Sequence, residues 1–219
     1  MSLGNAMKII RIFAILAAFV LLSGAECAFV ATSGSSSSGT EEEQRSNLVV
    51  IIRDGQLIDG PVEGVQFESG SVRGVTGPNG EFRFEEGSEI HFFIGDITLG
   101  RAVPAKALMS PIDLVPGGDL NTPEVINIAR LLQSLDAIPG DERITIPGSV
   151  RNIATVHHPE IGTTLELLDM GDSDAFANSG SQLVASLTAH YRFTAVLVDA
   201  ASARRHMQAS LKKAGLAER

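Results

Sequence analysis

The chain has 219 residues, 44% of them hydrophobic, and a formal net charge of −9 at pH 7. Its apolar content argues against a disordered chain, and its acidic balance argues against a nucleic-acid partner, which would require a basic surface. One cysteine cannot form an intramolecular disulfide, and the absence of tryptophan disfavours an aromatic platform for sugars.

Residues 1–25 have the features of a secretory signal peptide. Lys8 and Arg11 give it a basic start, and an apolar run over 12–22 follows. This run is shorter than the roughly 20 residues that a membrane-spanning helix needs. Small residues before Glu26 predict cleavage there, and a retained N-terminal anchor is the alternative.

The only cysteine, Cys27, follows this segment and is a candidate for lipidation. In bacterial lipoproteins a cysteine in this place is acylated and a polar linker follows it. Glu26 departs from the small apolar residues expected there, so an incidental cysteine is the alternative. Residues 26–47 are rich in serine and glutamate and predict a flexible tether, against a disordered N-terminus with no tethering role.

Residues 48–103 predict a small antiparallel β-sandwich. The β-branched run 48–52 predicts a buried strand that ends at Arg53-Asp54-Gly55, and turns are expected at Gly60-Pro61, 77–80 and Glu86-Gly87. Between these turns, apolar residues alternate with polar ones. The expected inward positions are Val62, Val65, Phe67, Val72, Val75, Phe82, Phe84, Ile90, Phe92, Ile94, Ile97 and Leu99.

Residues 104–219 predict a mainly helical region that packs on the sandwich, which gives an α+β fold. The best helix signal has Thr122 as N-cap and Pro123 at the first position, ahead of a wide apolar stripe. Helical spacing recurs after Pro147. Two further helices are expected, one over 181–191 and one over 200–214 that is capped by Asp199. A single helical turn is expected over 110–114.

Glycines and phenylalanines recur in a fixed pattern in the first half: Asp59-Gly60-Pro61-Val62, Gly64-Val65, Gly74, Thr76, Gly80, Phe82, Phe84 and Gly87. This pattern resembles the carboxypeptidase regulatory-like, or prealbumin-like, β-sandwich modules of exported bacterial proteins. Further matching residues are Phe93-Ile94-Gly95-Asp96, Leu99-Gly100, the run 125–136, and Ala203, His206, Met207 and Leu211. Together they resemble bacterial envelope lipoproteins and adhesin-like proteins over residues 48–213, which implies an exported, cell-envelope location.

Proteins of that kind carry an acidic loop, similar to a calcium loop, after a Leu-Asp pair. Here the loop runs from Asp136 to Arg143, with Asp141 as a further carboxylate. Calcium needs about six to eight oxygen ligands, and this segment offers few. A solvated loop without a cofactor is the preferred interpretation, and calcium at Asp136 and Asp141 is the alternative.

Two other clusters are candidates for a metal ion. His157 and His158 precede Glu160, but adjacent histidines point in different directions on a helix and lack the spacing of known zinc motifs. Asp172 and Asp174 could hold a divalent ion, although capping of the helix that carries Phe176 is the ordinary use of such residues. Neither cluster is assigned as a metal site.

No nucleophile elbow, phosphate-binding loop or dinucleotide fingerprint occurs in the sequence. We therefore predict a non-catalytic, exported envelope module that is tethered to a membrane and serves binding, adhesion or a structural role. Its partner is an unidentified protein or surface ligand. The alternative is a small periplasmic metal-dependent hydrolase that uses His157 and His158.

Overall fold

The computed structural model describes residues 49–216, so the expected signal peptide, the tether, Cys27 and Leu48 lie outside the described residues. Strands occupy the first half of this range and helices the second. The strands are β1 (Ile52–Leu57), β2 (Val62–Glu63), β3 (Gln66–Ser69), β4 (Val72–Val75), β5 (Glu81–Glu85), β6 (Glu89–Ile94), β7 (Ile97–Pro104), β8 (Leu108–Met109) and β9 (Ile144–Thr145). The helices are α1 (Pro123–Ser134), α2 (Gly148–Ile153), α3 (Gly162–Glu166), α4 (Ser173–Leu187) and α5 (Ala200–Lys213). The α+β class is confirmed.

One sheet has the strand order β5-β1-β8, with β1 antiparallel to β5 and parallel to the short β8. The expected strand end at Arg53-Asp54-Gly55 is wrong, because β1 runs through these residues. Gly55 pairs with Phe82, and a Cβ at Gly55 would lie 2.4 Å from Cζ of that ring. Gly55 therefore leaves space for the Phe82 ring, and it does not mark the end of the strand.

The expectation of a buried strand over 48–52 is also wrong. Val49 is 81% exposed, and Ile52, where the strand begins, is 42% exposed. The partner strand β5 ends at Glu85, and the pairing closes with a 2.8 Å hydrogen bond from Glu86 N to Ile51 O. A β-branched run favours extended backbone, but burial requires another layer to cover it.

The second sheet has the order β4-β3-β6-β7, all antiparallel, and β2 pairs separately with β9 in parallel. Most of the expected inward residues are buried, but Val72 is half-buried and Val75 is exposed. Val72 and Val75 are three positions apart, so a strand of period two places them on opposite faces. Thr76, the residue that follows Val75, is buried.

Four phenylalanines connect the two larger sheets. The ring of Phe82, on β5, lies 5.2 Å from that of Phe92 and 5.9 Å from that of Phe67, both in the other sheet. Phe84 lies 5.9 Å from Phe82 on the side of the first sheet. The two sheets therefore contact each other through tilted and edge-to-face ring pairs. The specific carboxypeptidase regulatory-like fold stays a prediction.

Helix α1 begins as predicted, with Thr122 at the N-cap and Pro123 at the first position. The Thr122 hydroxyl does not cap the helix and instead contacts Asp119 at 3.0 Å. Residues 125–132 are all buried, including Asn127 and Arg130, so α1 is enclosed by the other elements. It shares one hydrophobic core with the strands and with α4 and α5.

Two polar residues of α1 hold the irregular segment 188–199. Arg130 Nε donates to Val198 O at 2.8 Å, and Ser134 Oγ accepts from Val198 N at 2.9 Å. The guanidinium of Arg130 also lies 5.1 Å from the centre of the Phe176 ring. These contacts satisfy polar groups that burial would otherwise leave unpaired.

The later helices differ in part from the sequence prediction. The helical spacing after Pro147 corresponds to two short helices, α2 and α3, separated by turns. The expected helix over 181–191 begins eight positions earlier, at Ser173, and ends at Leu187, while 110–114 forms turns rather than helix. Helix α5 follows its N-cap Asp199 as predicted. Within residues 49–216, none of the helices combines the length and apolarity that crossing a bilayer requires.

Candidate functional site

Among the described residues, the two adjacent histidines belong to no metal-binding cluster with carboxylates, although His157 interacts electrostatically with Asp96. His157 is exposed, and its backbone N–H contacts the Thr155 hydroxyl at 3.4 Å. His158 Nδ1 accepts from Glu160 N at 3.3 Å, which fixes a local turn. Over the described residues, no three histidine, cysteine, aspartate or glutamate side chains are grouped closely enough to hold a metal ion.

The acidic loop after α1 uses its carboxylates to shape its own backbone. Asp136 Oδ1 accepts from Ile138 N at 3.1 Å and from Thr145 N at 3.0 Å, and Asp141 Oδ1 accepts from Arg143 N at 2.8 Å. Arg143 also forms an ion pair with Asp141 at 3.3 Å. These carboxylates therefore serve as turn-forming acceptors.

The second acidic cluster is a helix start. Asp172 is the N-cap of α4, and its Oδ1 accepts from Asp174 N and Ala175 N, both at 2.9 Å. Asp174 lies exposed in the first turn, where a negative charge favours the helix dipole. The capping interpretation of this cluster is confirmed.

Polar groups from distant parts of the chain instead meet at the turn between β1 and β2. Asp59 is fully buried there, and its Oδ2 accepts from Gln133 Nε2 of α1 at 2.9 Å. His206 Nε2 of α5 donates to the backbone oxygen of Asp59 at 2.8 Å, and Gly60 N donates to Ser210 Oγ at 2.7 Å. This turn thus joins the strands to α1 and α5, and we call it the Asp59 junction.

Glycine is required at the next position of the turn. Gly60 has φ +72°, and a Cβ there would lie 2.7 Å from the backbone oxygen of Glu142. Both the left-handed backbone and the close approach of the 136–143 loop exclude a larger residue. Gly60 therefore lets the turn, the loop and α5 meet.

Burial has an electrostatic cost at this junction. Removal from water raises the pKa of the Asp59 carboxyl to about 6, while the hydrogen bond from Gln133 and the charge of His206 act in the opposite direction. None of the described residues donates a hydrogen bond to Asp59 Oδ1, although this atom is buried. An ionised carboxylate with one unpaired oxygen is costly inside a protein, and such groups mark functional sites more often than average.

A cleft of about 480 Å³ lies beside the Asp59 junction. One wall is formed by the turn and the end of β1, the second by the 136–143 loop, and the third by one face of α5. The lining residues are Gln56, Ile58, Gly60, Pro61, Asp141, Glu142, His206, Ala209, Ser210, Lys213 and Ala214. A concave site of this size with apolar walls and a few polar groups is typical of ligand binding.

Aspartate, histidine and serine meet here, but not as a catalytic triad. His206 contacts the backbone oxygen of Asp59 and not its carboxylate, and Ser210 Oγ accepts a hydrogen bond from Gly60 N. In a triad, histidine would take the serine proton and the carboxylate would orient that histidine. The three side chains therefore do not have the arrangement of a catalytic triad.

Sequence reasoning missed this site. The sequence indicates a turn at Gly60-Pro61 and includes Asp59 and His206 in the family pattern, but it gives neither a role in a site. The two residues are 147 positions apart, so nothing in the sequence shows that they meet. An aspartate directly after the apolar pair Leu57-Ile58 was the one available signal, because carboxylates are seldom buried without a partner.

Comparison with known proteins gives a partial match. No family model and no solved structure matches the chain. Two curated proteins of Escherichia coli, named "Putative lipoprotein YghJ" (strain H10407) and "Putative lipoprotein AcfD homolog" (strain K12), are each 28% identical over 138 residues. The match covers 62% of this chain but only 9% of each relative. The similarity supports the resemblance to bacterial envelope lipoproteins.

Proposed function

We propose that this chain is a non-catalytic, envelope-associated binding module that presents the cleft beside the Asp59 junction to a ligand. One observation carries the proposal. The candidate metal ligands Asp136, Asp141, Asp172 and His158 are engaged in turns and caps, whereas the cleft is lined by apolar walls and polar side chains. The hydrolase alternative has no observation in its favour.

We further propose that the module is held at a membrane through Cys27. The cysteine follows an apolar segment with a basic start and precedes the polar stretch 32–47, which is the order that a lipid-anchored protein requires. The lipoprotein names of the two relatives support this arrangement. A tether of this length would hold the folded part away from the lipid surface.

Replacement of Cys27 by serine tests the anchor. In a bacterial host we expect the unaltered chain to fractionate with membranes, with a mature N-terminus at Cys27 whose mass includes acyl groups. We expect Cys27→Ser to move into the soluble fraction, because it removes the only thiol. Mass spectrometry of the N-terminus and fractionation are the measurements, and Ser35→Ala in the polar stretch is the control. An unacylated N-terminus at Glu26, with unchanged fractionation of Cys27→Ser, would overturn the proposed anchor.

A further inference from the structure

The backbone of β1 and of the residues before it alternates between two edges of the first sheet. Ile51 O accepts a hydrogen bond from Glu86 N at 2.8 Å, on the side of β5. Leu57 N likewise donates to Gly80 O at 2.8 Å, in the turn that leads into β5. Because neighbouring residues of a strand direct their N–H and C=O groups to opposite edges, the even-numbered residues bond away from β5.

The edge that faces away from β5 is open over residues 50–54. The short strand β8 reaches this edge only at its far end, where Gln56 N donates to Ala107 O at 2.9 Å. Within residues 49–216, no hydrogen bond uses the backbone groups of the even-numbered residues of 50–54. We call residues 49–54 the β1 edge. An unpaired strand edge is a template on which another strand can form hydrogen bonds.

The β1 edge is also apolar and exposed. Val49 is 81% exposed, and residues 50–52 are 42–50% exposed. Natural sheet edges usually carry charged residues or proline that prevent pairing with another strand, and none is present in 49–52. Arg53 follows, but its charge is neutralised by an ion pair with Glu86 at 3.1 Å. The β1 edge therefore lacks the usual protection against a second strand.

The β1 edge is complementary to itself when two copies run antiparallel about a two-fold axis. In one register, Ile51 lies opposite Ile51 of the other copy. Val50 then lies opposite Ile52 and forms a hydrogen-bonded pair with it on each side of the axis. Val49 lies opposite Arg53, whose aliphatic stem it can cover. Apolar side chains thus meet across the axis, and no two like charges lie opposite each other.

We propose that two copies of this chain join through their β1 edges and form one continuous antiparallel sheet with the strand order β5-β1-β1-β5. This inference does not use the cleft beside the Asp59 junction and goes beyond the proposed function. The outer strands of the joined sheet are the two β5 strands, on which Glu81 and Arg83 are exposed. Charges of this kind discourage the addition of further strands, so the assembly ends at a dimer.

The dimer is expected to be weak and to strengthen with salt. Residues 49–53 are far fewer than the about 20–30 residues that each partner contributes to a standard interface. The two copies also carry the same net charge of −9, and salt screens the repulsion between them. A pairing driven by opposite charges would weaken with salt instead.

A single cysteine at the two-fold axis tests the pairing. In the full chain, Cys27→Ser removes the only natural thiol, and Ile51→Cys adds one opposite its own copy, at a Cα separation that permits a disulfide. Val75→Cys is the control, because Val75 is 45% exposed and Ile51 is 46% exposed, but Val75 lies on the other sheet. After mild oxidation, we expect Ile51→Cys to give at least about tenfold more disulfide-linked dimer than Val75→Cys on a non-reducing gel. Both variants share residues 1–48, so association through that part affects both equally. Equal yields would overturn the proposed dimer.

A charge at the same position tests the association without oxidation. Ile51→Lys places two like charges opposite each other across the axis, and we expect it to raise the dimer Kd at least about tenfold in sedimentation experiments. Val75→Lys adds the same charge at an equally exposed position and is expected to leave the Kd nearly unchanged. An unaltered chain that stays monomeric at high concentration and high salt would overturn the proposal, as would equal association of the two lysine variants. Neither result bears on the cleft, which these substitutions do not touch.

Discussion

Replacing Phe82 by alanine is expected to lower the free energy of unfolding by about 3–5 kcal/mol, the usual cost of removing a large buried aromatic ring. The Phe82 ring contacts Phe67, Phe84 and Phe92 and covers Gly55, so its loss opens a cavity where the two sheets meet. Urea unfolding at pH 7 measures the change.

Arg83→Ala is the control for this prediction, because Arg83 is exposed on the same strand and its replacement is expected to change stability by less than about 0.5 kcal/mol. If Phe82→Ala cost no more than Arg83→Ala, the ring would not lie in a packed core, and the contact between the sheets would be contradicted.

Replacing Asp59 by asparagine is expected to remove most of the pH dependence of stability between pH 4 and 7. Burial raises the pKa of Asp59 from 3.8 to about 6, so the folded state holds this proton more tightly than the unfolded state does. The contribution of Asp59 to the free energy of unfolding is therefore greatest below pH 3.8. It falls as the pH rises from 3.8 and is lost once the pH passes 6. The loss is about 3 kcal/mol in total.

Unfolding free energies at several pH values from 4 to 7.5 check the effect. The unaltered chain is expected to lose stability over this range, and Asp59→Asn is expected to remove this loss, because asparagine does not titrate. Asp54→Asn, on the exposed part of β1, should keep the slope of the unaltered chain. The same profile for the unaltered chain and for Asp59→Asn would show that Asp59 is solvated in the folded state.

The elements with regular periodicity could be predicted from the sequence. Helix α1 follows from Thr122, Pro123 and a wide apolar stripe, and α5 follows from Asp199. Errors arose where one residue type has two uses. Gly55 accommodates the Phe82 ring instead of ending a strand, and the apolar run 49–52 is extended but uncovered, which only tertiary structure decides.

The candidate site could not be predicted, because its parts are distant in sequence. Gln133, His206 and Ser210 meet the 59–60 turn only after α1 and α5 have packed on the strands. Clusters that are local in sequence, such as His157-His158, attract attention but here form turns. Burial of Asp59, which identifies the site, is a property of the folded chain alone.

The central claim is that a buried Asp59 connects the β1–β2 turn to α1 and α5 and so forms the cleft. A ¹³C NMR titration of the aspartate carboxyl carbons tests it most directly, with the Asp59 signal assigned by its absence in Asp59→Asn. The account predicts a midpoint near pH 6 for this carbon. A midpoint near 4, the value of a solvated aspartate, would show that Asp59 is exposed to water and that the β1–β2 turn does not pack against α1 and α5. This result would contradict the cleft as described.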